Sequence, residues 1–501
     1  MLKKQILACS IGLALLPLSS VQALTNEAPM MIGDSPATGN GFKPEPIFTV
    51  GERVKGYPPP GIPDGLGVLD LDDGDVHLFM SHELGASFGD AYTLANGTEL
   101  NGARITAFRL TRSGRILEAG LAYDEVYDRS GRIVTAPTQI NERGHPTLGF
   151  ARFCSARSVE AGTFGFVDDI FFTGEELSSP AHIHGGSEWA LDVACRAVRA
   201  VPAMGRGAWE NVAPVDTGNP NTIALLAGDD VSAAPLYLFI GVKNAVGDGS
   251  FLDRNGLAVG RVYVWAAADG SLDPEDFNGT GSTRSGSWME IDVLDPAKAG
   301  QAGYDSVGYL DDATLRATAD AMGAFSFSRP EDVHDNPNDP SQMVLASTGR
   351  GNLFPADNWG TLYRIDLGLG TLTANLTILF DGDSLAVPDT GIRSPDNLTW
   401  SADGMIYVQE DRSTSPSTLF GALTGTEASV WMLDPVTGAI MRIGEIDRSA
   451  VAPADATSTP AKAKLFGNAD RHGKVGGKLE PRSRPTRLDN ASDDVRDLRE
   501  N

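Results

Sequence analysis

Asp64, Cys154, Glu210, Glu331 and Asp396 each open a segment that runs polar group, strand, turn, strand, polar group. The segments close on Glu83, on Glu175 and Glu176, on Asp229 and Asp230, on Thr348 and Arg350, and on Glu410 and Asp411. Carboxylates gathered in one small volume repel, and they stay charged only where cations neutralise them. Oxygen-only clusters favour hard ions, calcium above all. Cys154 occupies a position that elsewhere holds an acid, and a thiolate there is a soft ligand suited to a transition metal such as iron. Arg329 lies two residues before Glu331 in SRPED. Arginine does not ligate metals, but it grips phosphate with two parallel hydrogen bonds. Cations beside an arginine fit an anionic substrate, because metal ions polarise phosphoryl oxygens and acidify water.

These groups meet only if the chain between them folds as hairpins. A hairpin returns to the end it left, so both polar ends of each segment lie at one end of the sheet. In the stretch SPDNLTWSADGMIYVQED (394–411), Asp396 and Asn397 are thereby set beside Glu410 and Asp411. Short Val/Ile/Leu/Phe/Tyr runs broken by Gly, Asp, Asn and Pro recur along most of the chain, as in TIALLAGDD, APLYLFIGV and GTLYRIDLG. Repeated hairpin sheets arranged radially make a β-propeller, whose central channel opens where the polar groups collect. The expected fold is all-β, a propeller of six blades (seven possible) with small helical insertions. The spacing leaves room for a further blade over 250–300, in GRVYVWAAADGSLD and GSWMEIDVLD, and 310–325 is the one clear amphipathic helix.

Residues 1–23 read as a secretory signal: Lys3 and Lys4, then an apolar core, then VQA. They imply a secreted or periplasmic protein, and no later apolar run is long enough to span a membrane. The expected organisation is this leader, one propeller domain over 24–457, and a flexible polar tail over 458–501. The formal net charge of −26 becomes −28 once Lys3 and Lys4 leave with the leader. That balance argues against nucleic acid as a bound partner. Cys154 and Cys195 either form one disulfide or are one functional thiol and one bystander; Cys195, in LDVACRAVRA, is expected to be small and buried. His182 and His184 in HIHGG read as a surface loop, and 241–256 as a loop able to hold peripheral calcium. Ser394 reads as a turn residue, and neither a GxSxG motif nor a Ser-His-Asp arrangement is apparent.

The blocks MSHELGA, GEE (174–176), MGRGAWENVAPVDTG with LLAGDD (204–230), RPEDVHDNPNDPSQMVLASTG and SPDNLTW with DGMIYVQED resemble, in order, those of the PhoX-type alkaline phosphatases. The resemblance runs from about residue 60 to 435. It implies a secreted propeller phosphatase with calcium and iron (Fe3+) held by acids and one cysteine. Cys154, Glu175, Glu176, Glu210, Asp230, Glu331, Asp396, Asn397, Glu410 and Asp411 would be metal ligands or their near supports. Arg329 would hold the phosphate, with Glu331 beside it in catalysis, and His82 and Glu83 would lie at the rim. The partner implied is a small phosphorylated substrate, acted on by a monomer. The chain departs from the family pattern at Trp209, at Gly174 and in the loop after Cys154, which is compatible with a changed substrate or with calcium alone. A calcium-dependent propeller esterase or lactonase, and a non-catalytic propeller with structural calcium, are the competing readings.

Overall fold

The computed structural model describes residues 53–142 and 146–446, together with residues 31, 32, 42 and 47. The expected leader and tail lie outside these residues. Five four-stranded units, each with an inner hairpin and two of them joined in a single nine-stranded sheet, surround one channel. Blade 1 is built from Pro63–Asp70, Val76–His82, Arg104–Leu110 and Ile116–Leu121. Blade 2 comprises Phe153–Val159, Ile170–Glu175, Glu188–Asp192 and Ala197–Ala200, with Glu125–Tyr127 parallel on its outer edge. Blade 3 comprises Trp209–Val215, Thr222–Asp229, Tyr237–Val242 and Gly260–Ala267. Pro330–Asn336, Asp339–Ser347, Thr361–Gly368 and Thr373–Asp381 make blade 4. Pro395–Trp400, Ile406–Glu410, Ser429–Leu433 and Ile440–Ile446 make blade 5, edged by Met31–Ile32.

The propeller is thus present with five such units among the described residues, where six were expected. The segment over 250–300 forms no unit of its own. Gly260–Ala267 is the fourth strand of blade 3, and Thr283–Ile291 pairs with it on one side and with Thr373–Asp381 on the other. That strand alternates exposed and buried residues, as a half-solvated outer strand does. The inner Trp209–Val215, by contrast, is buried at every position. The expected helix runs from Asp312 to Ala321, with Asp311 capping its first turn.

Apolar side chains fill four of the interfaces between blades. Phe79, Phe171 and Trp189 pack between blades 1 and 2, and Phe172, Trp209 and Tyr237 between blades 2 and 3. Leu226, Val333 and Tyr363 join blades 3 and 4, and Val344, Leu398 and Trp431 join blades 4 and 5. Blades 5 and 1 instead keep separate apolar clusters, the first receiving Phe42 and the second Ile47. At the channel, Asn397 Nδ2 donates to Asp64 Oδ1 at 3.3 Å across this seam.

Each inner hairpin carries the same irregularity. Pro63 faces His82, but Leu66 faces Met80, so Asp64 and Gly65 together oppose one residue. The same two-against-one step places Cys154 with Ser155, Glu210 with Asn211, Glu331 with Asp332, and Asp396 with Asn397. A β-bulge re-aims the side chains it carries, so five identical bulges turn five chemical groups toward one volume. Beyond each bulge the hairpin is closed by a backbone bond: the N–H groups of Glu83, Glu176, Asp230, Thr348 and Asp411 donate to the carbonyls of Ile62, Arg152, Ala208, Arg329 and Ser394. Ile62, Arg152 and Ser394 adopt positive φ values of 48°, 52° and 43° there, a costly conformation for side chains other than glycine.

Candidate metal centre

Eight ligand-bearing side chains converge at the mouth of the channel. Asp64, Cys154, Glu210, Glu331 and Asp396 come from the bulges; Glu83, Glu176 and Asp230 come from the residue after the second inner strand of blades 1 to 3. They form four sets whose ligand atoms all lie within 4.8 Å of one another: Asp64, Cys154 and Glu210; Glu83, Cys154 and Glu176; Glu176, Glu210 and Asp230; and Glu210, Glu331 and Asp396. All eight are buried. Glu210 belongs to three sets, and neither of its carboxylate oxygens has a hydrogen-bond partner. Burial pushes its carboxyl well above the usual range, and the charges of Glu331, Glu176, Asp396 and Asp64 push the same way. A buried carboxylate left in this state is destabilising unless a proton or a cation joins it. The Cys154 thiol lies 3.4 Å from Asp64 Oδ2 and 3.3 Å from Glu176 Oε2. Burial raises its pKa strongly, with the surrounding carboxylates adding to the shift. The donor set, seven carboxylates and one thiol, suits hard cations with one softer ion near the sulfur.

Two arginines border this cage. Arg329 Nε donates to Asp230 Oδ1 at 2.6 Å, its Nη2 pairs with Asp230 and with Glu331 at 2.9 Å, and its Nη1 donates to Ser413 Oγ at 3.0 Å. Ser413 in turn donates to Asp411 Oδ2 at 2.8 Å. Thr348, where other blades place an acid, donates to Glu331 Oε1 at 2.6 Å. Arg152 stands two residues before Cys154 as Arg329 stands two before Glu331, and its Nη2 pairs with Glu176 and, at 3.4 Å, with Glu83.

The acidic pairs expected to act together divide. Glu176 and Asp230 enter the cage, whereas the residue before each is held elsewhere. Glu175 accepts from Trp189 Nε1 at 3.1 Å and from the Ala151 N–H at 3.3 Å, and burial raises its carboxyl to about 7. Asp229 accepts from two nitrogens of Arg316. Glu410 accepts from Arg393 Nε at 3.0 Å and Nη2 at 2.8 Å, from the Ser429 N–H and from Trp431 Nε1. Glu175 and Glu410, expected among the ligands, therefore stand outside the four sets, as does Asp411, while the amide oxygen of Asn397 is buried without a hydrogen-bond partner. The alternation follows the two-residue period of a strand, and at two strand ends the neighbouring blade packs closely. The residues before Glu175 and Asp229 are Gly174 and Gly228; a Cβ there would sit 2.4 Å from the Trp209 carbonyl oxygen and 2.0 Å from that of Glu331. The inner strand of the next blade passes that close at both positions.

Several expectations are corrected here. His82 and Glu83 are not at a rim. His82 is fully buried against Thr106 and the Gly61 carbonyl, and burial lowers its pKa to about 3, so it is neutral. Glu83 is within the cage. Cys154 and Cys195 are both free, which removes the disulfide, and Cys195 is exposed rather than buried. HIHGG is a loop with Ile183 exposed, but the His182 side chain is buried within it. In the loop over 241–256 the buried Asp253 accepts from the N–H groups of Val246, Gly247 and Gly249, so its oxygens are already used. Asp64, expected only as a segment start, is a ligand-bearing group, and Arg152 is a second arginine at the cage beyond those expected. Aligning the five segments on their bulges reveals both, because Arg152 has the same offset as Arg329.

A family model described as alkaline phosphatase PhoX matches residues 191–467. That span contains Glu210, Asp230, Arg329, Glu331 and Asp396, while Asp64, Glu83, Arg152, Cys154 and Glu176 precede it. The fold is similar to that of Pseudomonas fluorescens PhoX solved with vanadate, a transition state analogue. The TM-score is 0.56 at 16% identity, over 82% of this chain and 81% of that one. A GH43_1 enzyme from Xanthomonas citri aligns over 78% of this chain and 94% of its own at 11% identity, but its TM-score of 0.30 is too low to carry an argument. No curated protein matches by sequence.

Proposed function

Because the chain belongs to the alkaline phosphatase PhoX family and is accordingly a phosphoric ester hydrolase, we propose that hydrolysis takes place at the carboxylate cage and depends on calcium and iron bound there. The observation that carries this reading is Glu210: a fully buried glutamate with two unpartnered oxygens, in reach of six other ligand groups. The residues fit a group of cations. Glu210, Glu331 and Asp396 would hold calcium, as would Glu176 and Asp230. Cys154, with Asp64, Glu83 and Glu176, would hold iron. Bound there, the ions would polarise the phosphoryl oxygens and acidify the attacking water.

The chain's own groups do the rest. Arg329 would bind the phosphate as a fixed two-pronged donor, since Asp230 and Glu331 hold its guanidinium plane and Ser413 its third nitrogen. Its positive charge would stabilise the charge that develops on the phosphoryl oxygens. Thr348 would keep Glu331 oriented through its hydroxyl. Asn397 would steady Asp64 through its amide nitrogen and leave its unpartnered amide oxygen available to a cation. The surrounding apolar interfaces between blades keep the strand ends rigid, so the groups need not reorganise during turnover.

We further infer an exported monomer whose leader, residues 1–23, is removed and whose residues 24–457 form one domain. Among the described residues no helix is long and apolar enough to cross a membrane. The test is turnover of p-nitrophenyl phosphate, bis(p-nitrophenyl) phosphate and a lactone, each with and without chelator, together with elemental analysis. Chelator-sensitive phosphoester hydrolysis with calcium and iron both present is expected. Lactone turnover alone would turn the assignment to an esterase, and absence of iron would remove the role given to Cys154.

A further inference from the structure

The cage has a neighbour that the hydrolysis of a bare phosphate does not require. A cavity of about 610 Å3 lies on the blade 1–blade 2 side, and among the described residues its wall is largely apolar, with Ala86, Leu148, Ala151 and Leu177. Thr138 and Ser87 add hydroxyls, and Arg152 stands in the wall between cavity and cage. Leu148 is 53% exposed, an apolar side chain left at the cavity in contact with water.

Arg152 differs from Arg329 in how much of it is already used. Three nitrogens of Arg329 bond to Asp230, Glu331 and Ser413, and its side chain is 7% exposed. Arg152 is 20% exposed, its Nη2 reaches both Glu83 and Glu176, and its Nε has no hydrogen-bond partner. Its backbone is nevertheless fixed. The Arg152 N–H donates to the Leu84 carbonyl at 2.8 Å, its own carbonyl accepts from Glu176 at 2.9 Å, and its φ of 52° is held by that frame. A pre-positioned guanidinium with donors to spare, one side on a carboxylate cage and the other on an apolar hollow, suits a ligand that is anionic at one end and apolar at the other.

We propose that this cavity receives the alcohol part of the phosphoester, and that Arg152 holds the ester where the two compartments meet. The enzyme then favours phosphoesters of bulky, mostly apolar alcohols, aryl alcohols among them, over esters of small polar alcohols such as glycerol. The apolar wall removes the alcohol's carbon surface from water, a gain that a small polyol cannot collect. This rests on the reading of the cage as the phosphate site.

The experiment compares kcat/KM for 1-naphthyl phosphate and glycerol 2-phosphate in the wild type and in Leu148→Asp, a partly exposed position where a charge is tolerated by the fold. The naphthyl-to-glycerol ratio is expected to fall about tenfold in the variant, the size of effect one apolar contact has on discrimination. Arg152→Met is expected to raise KM for both esters more than it lowers kcat. A ratio that stays constant in Leu148→Asp overturns the proposal, whether both activities fall or neither does. If the wild type hydrolyses neither ester with calcium and iron supplied, the phosphatase reading of the cage fails by itself. The cavity is then decided by 1-naphthol binding, followed by fluorescence: binding weakened by Leu148→Asp supports it, and absence of binding by the wild type overturns it.

Discussion

Glu410 and Glu210 are both buried glutamates at the mouth of one channel, and they end in opposite situations. Glu410 accepts from two side-chain nitrogens and the N–H of Arg393, from the Ser429 N–H and from Trp431. Glu210 accepts from nothing, and other carboxylates surround it. The same division separates Glu175 from Glu176 and Asp229 from Asp230. One row of side chains, with His82 and Ser347 as its non-acidic members, ties each hairpin to the chain just before it. The neighbouring row faces its counterparts from other blades. A buried acid whose charge is met within the chain is part of the frame. A buried acid surrounded by other acids requires something the chain does not contain.

The comparison breaks most visibly under Glu210→Gln. Turnover of p-nitrophenyl phosphate is expected to fall about a thousandfold, the scale set by losing a group that organises charge stabilisation. In chelator-treated protein the same change is expected to raise stability by about 1–3 kcal/mol, because the cost of burying Glu210 among like charges, met there by taking up a proton, is removed. Activity near wild type, or a destabilised chelated protein, would show that Glu210 is not where the cations sit.

Arg393→Ala tests the other row. It strands Glu410 with its charge unmet and is expected to cost about 3–5 kcal/mol in urea unfolding. Activity per folded molecule should be preserved, since Glu410 is held away from the cage. Replacing Arg393 and Glu410 together by apolar residues of similar size should recover most of the loss. If Arg393→Ala removed activity without unfolding the protein, the division between the rows would not hold.

Removing metal should separate the rows again. With calcium at a hundred times its dissociation constant, chelation is expected to lower stability by about 2.7 kcal/mol, read as a fall in Tm. Glu210→Gln should lose much of that response, and Arg393→Ala should keep it.

How much of this the sequence carries depends on whether a property repeats. The five segments are visible because each blade repeats the same order of polar ends and apolar strands, and the bulges fall where the polar starts were expected. Which member of an acidic pair enters the channel is not visible. It depends on Trp189, Arg316 and Arg393, each outside the repeating pattern and each reaching its acid through the fold. The blade number is hidden for a similar reason, five units being present among the described residues. Thr283–Ile291 reads as a strand in sequence, but only the register shows that it bridges two outer edges instead of starting a sheet. Arg152 was within reach of sequence reasoning, since its offset from Cys154 repeats that of Arg329 from Glu331.

A third kind of buried acid sharpens the comparison with the smallest effect. Asp357 accepts from Ser328 Oγ at 2.5 Å and from Thr361 Oγ1 at 3.0 Å, and has neither an arginine partner nor a place in the cage. Burial raises its carboxyl to about 7, so near neutrality it is half protonated. The unfolded chain releases that proton near pH 4. Between those values the folded state binds more protons than the unfolded one, so stability falls as pH rises toward 7 and continues to fall until the folded carboxyl is ionised. From pH 6 to pH 8 the loss from this one group is about 1.4 kcal/mol. Asp357→Asn keeps both contacts, because hydroxyls donate or accept as needed, and it has no proton to lose. The stability difference between wild type and variant should therefore grow by that amount over the window, with the titration of the cage cancelling in the subtraction. A constant difference from pH 6 to pH 8 would mean that Asp357 is ionised throughout, and that burial beside two hydroxyls is enough to hold a charge that Glu210 cannot hold without cations.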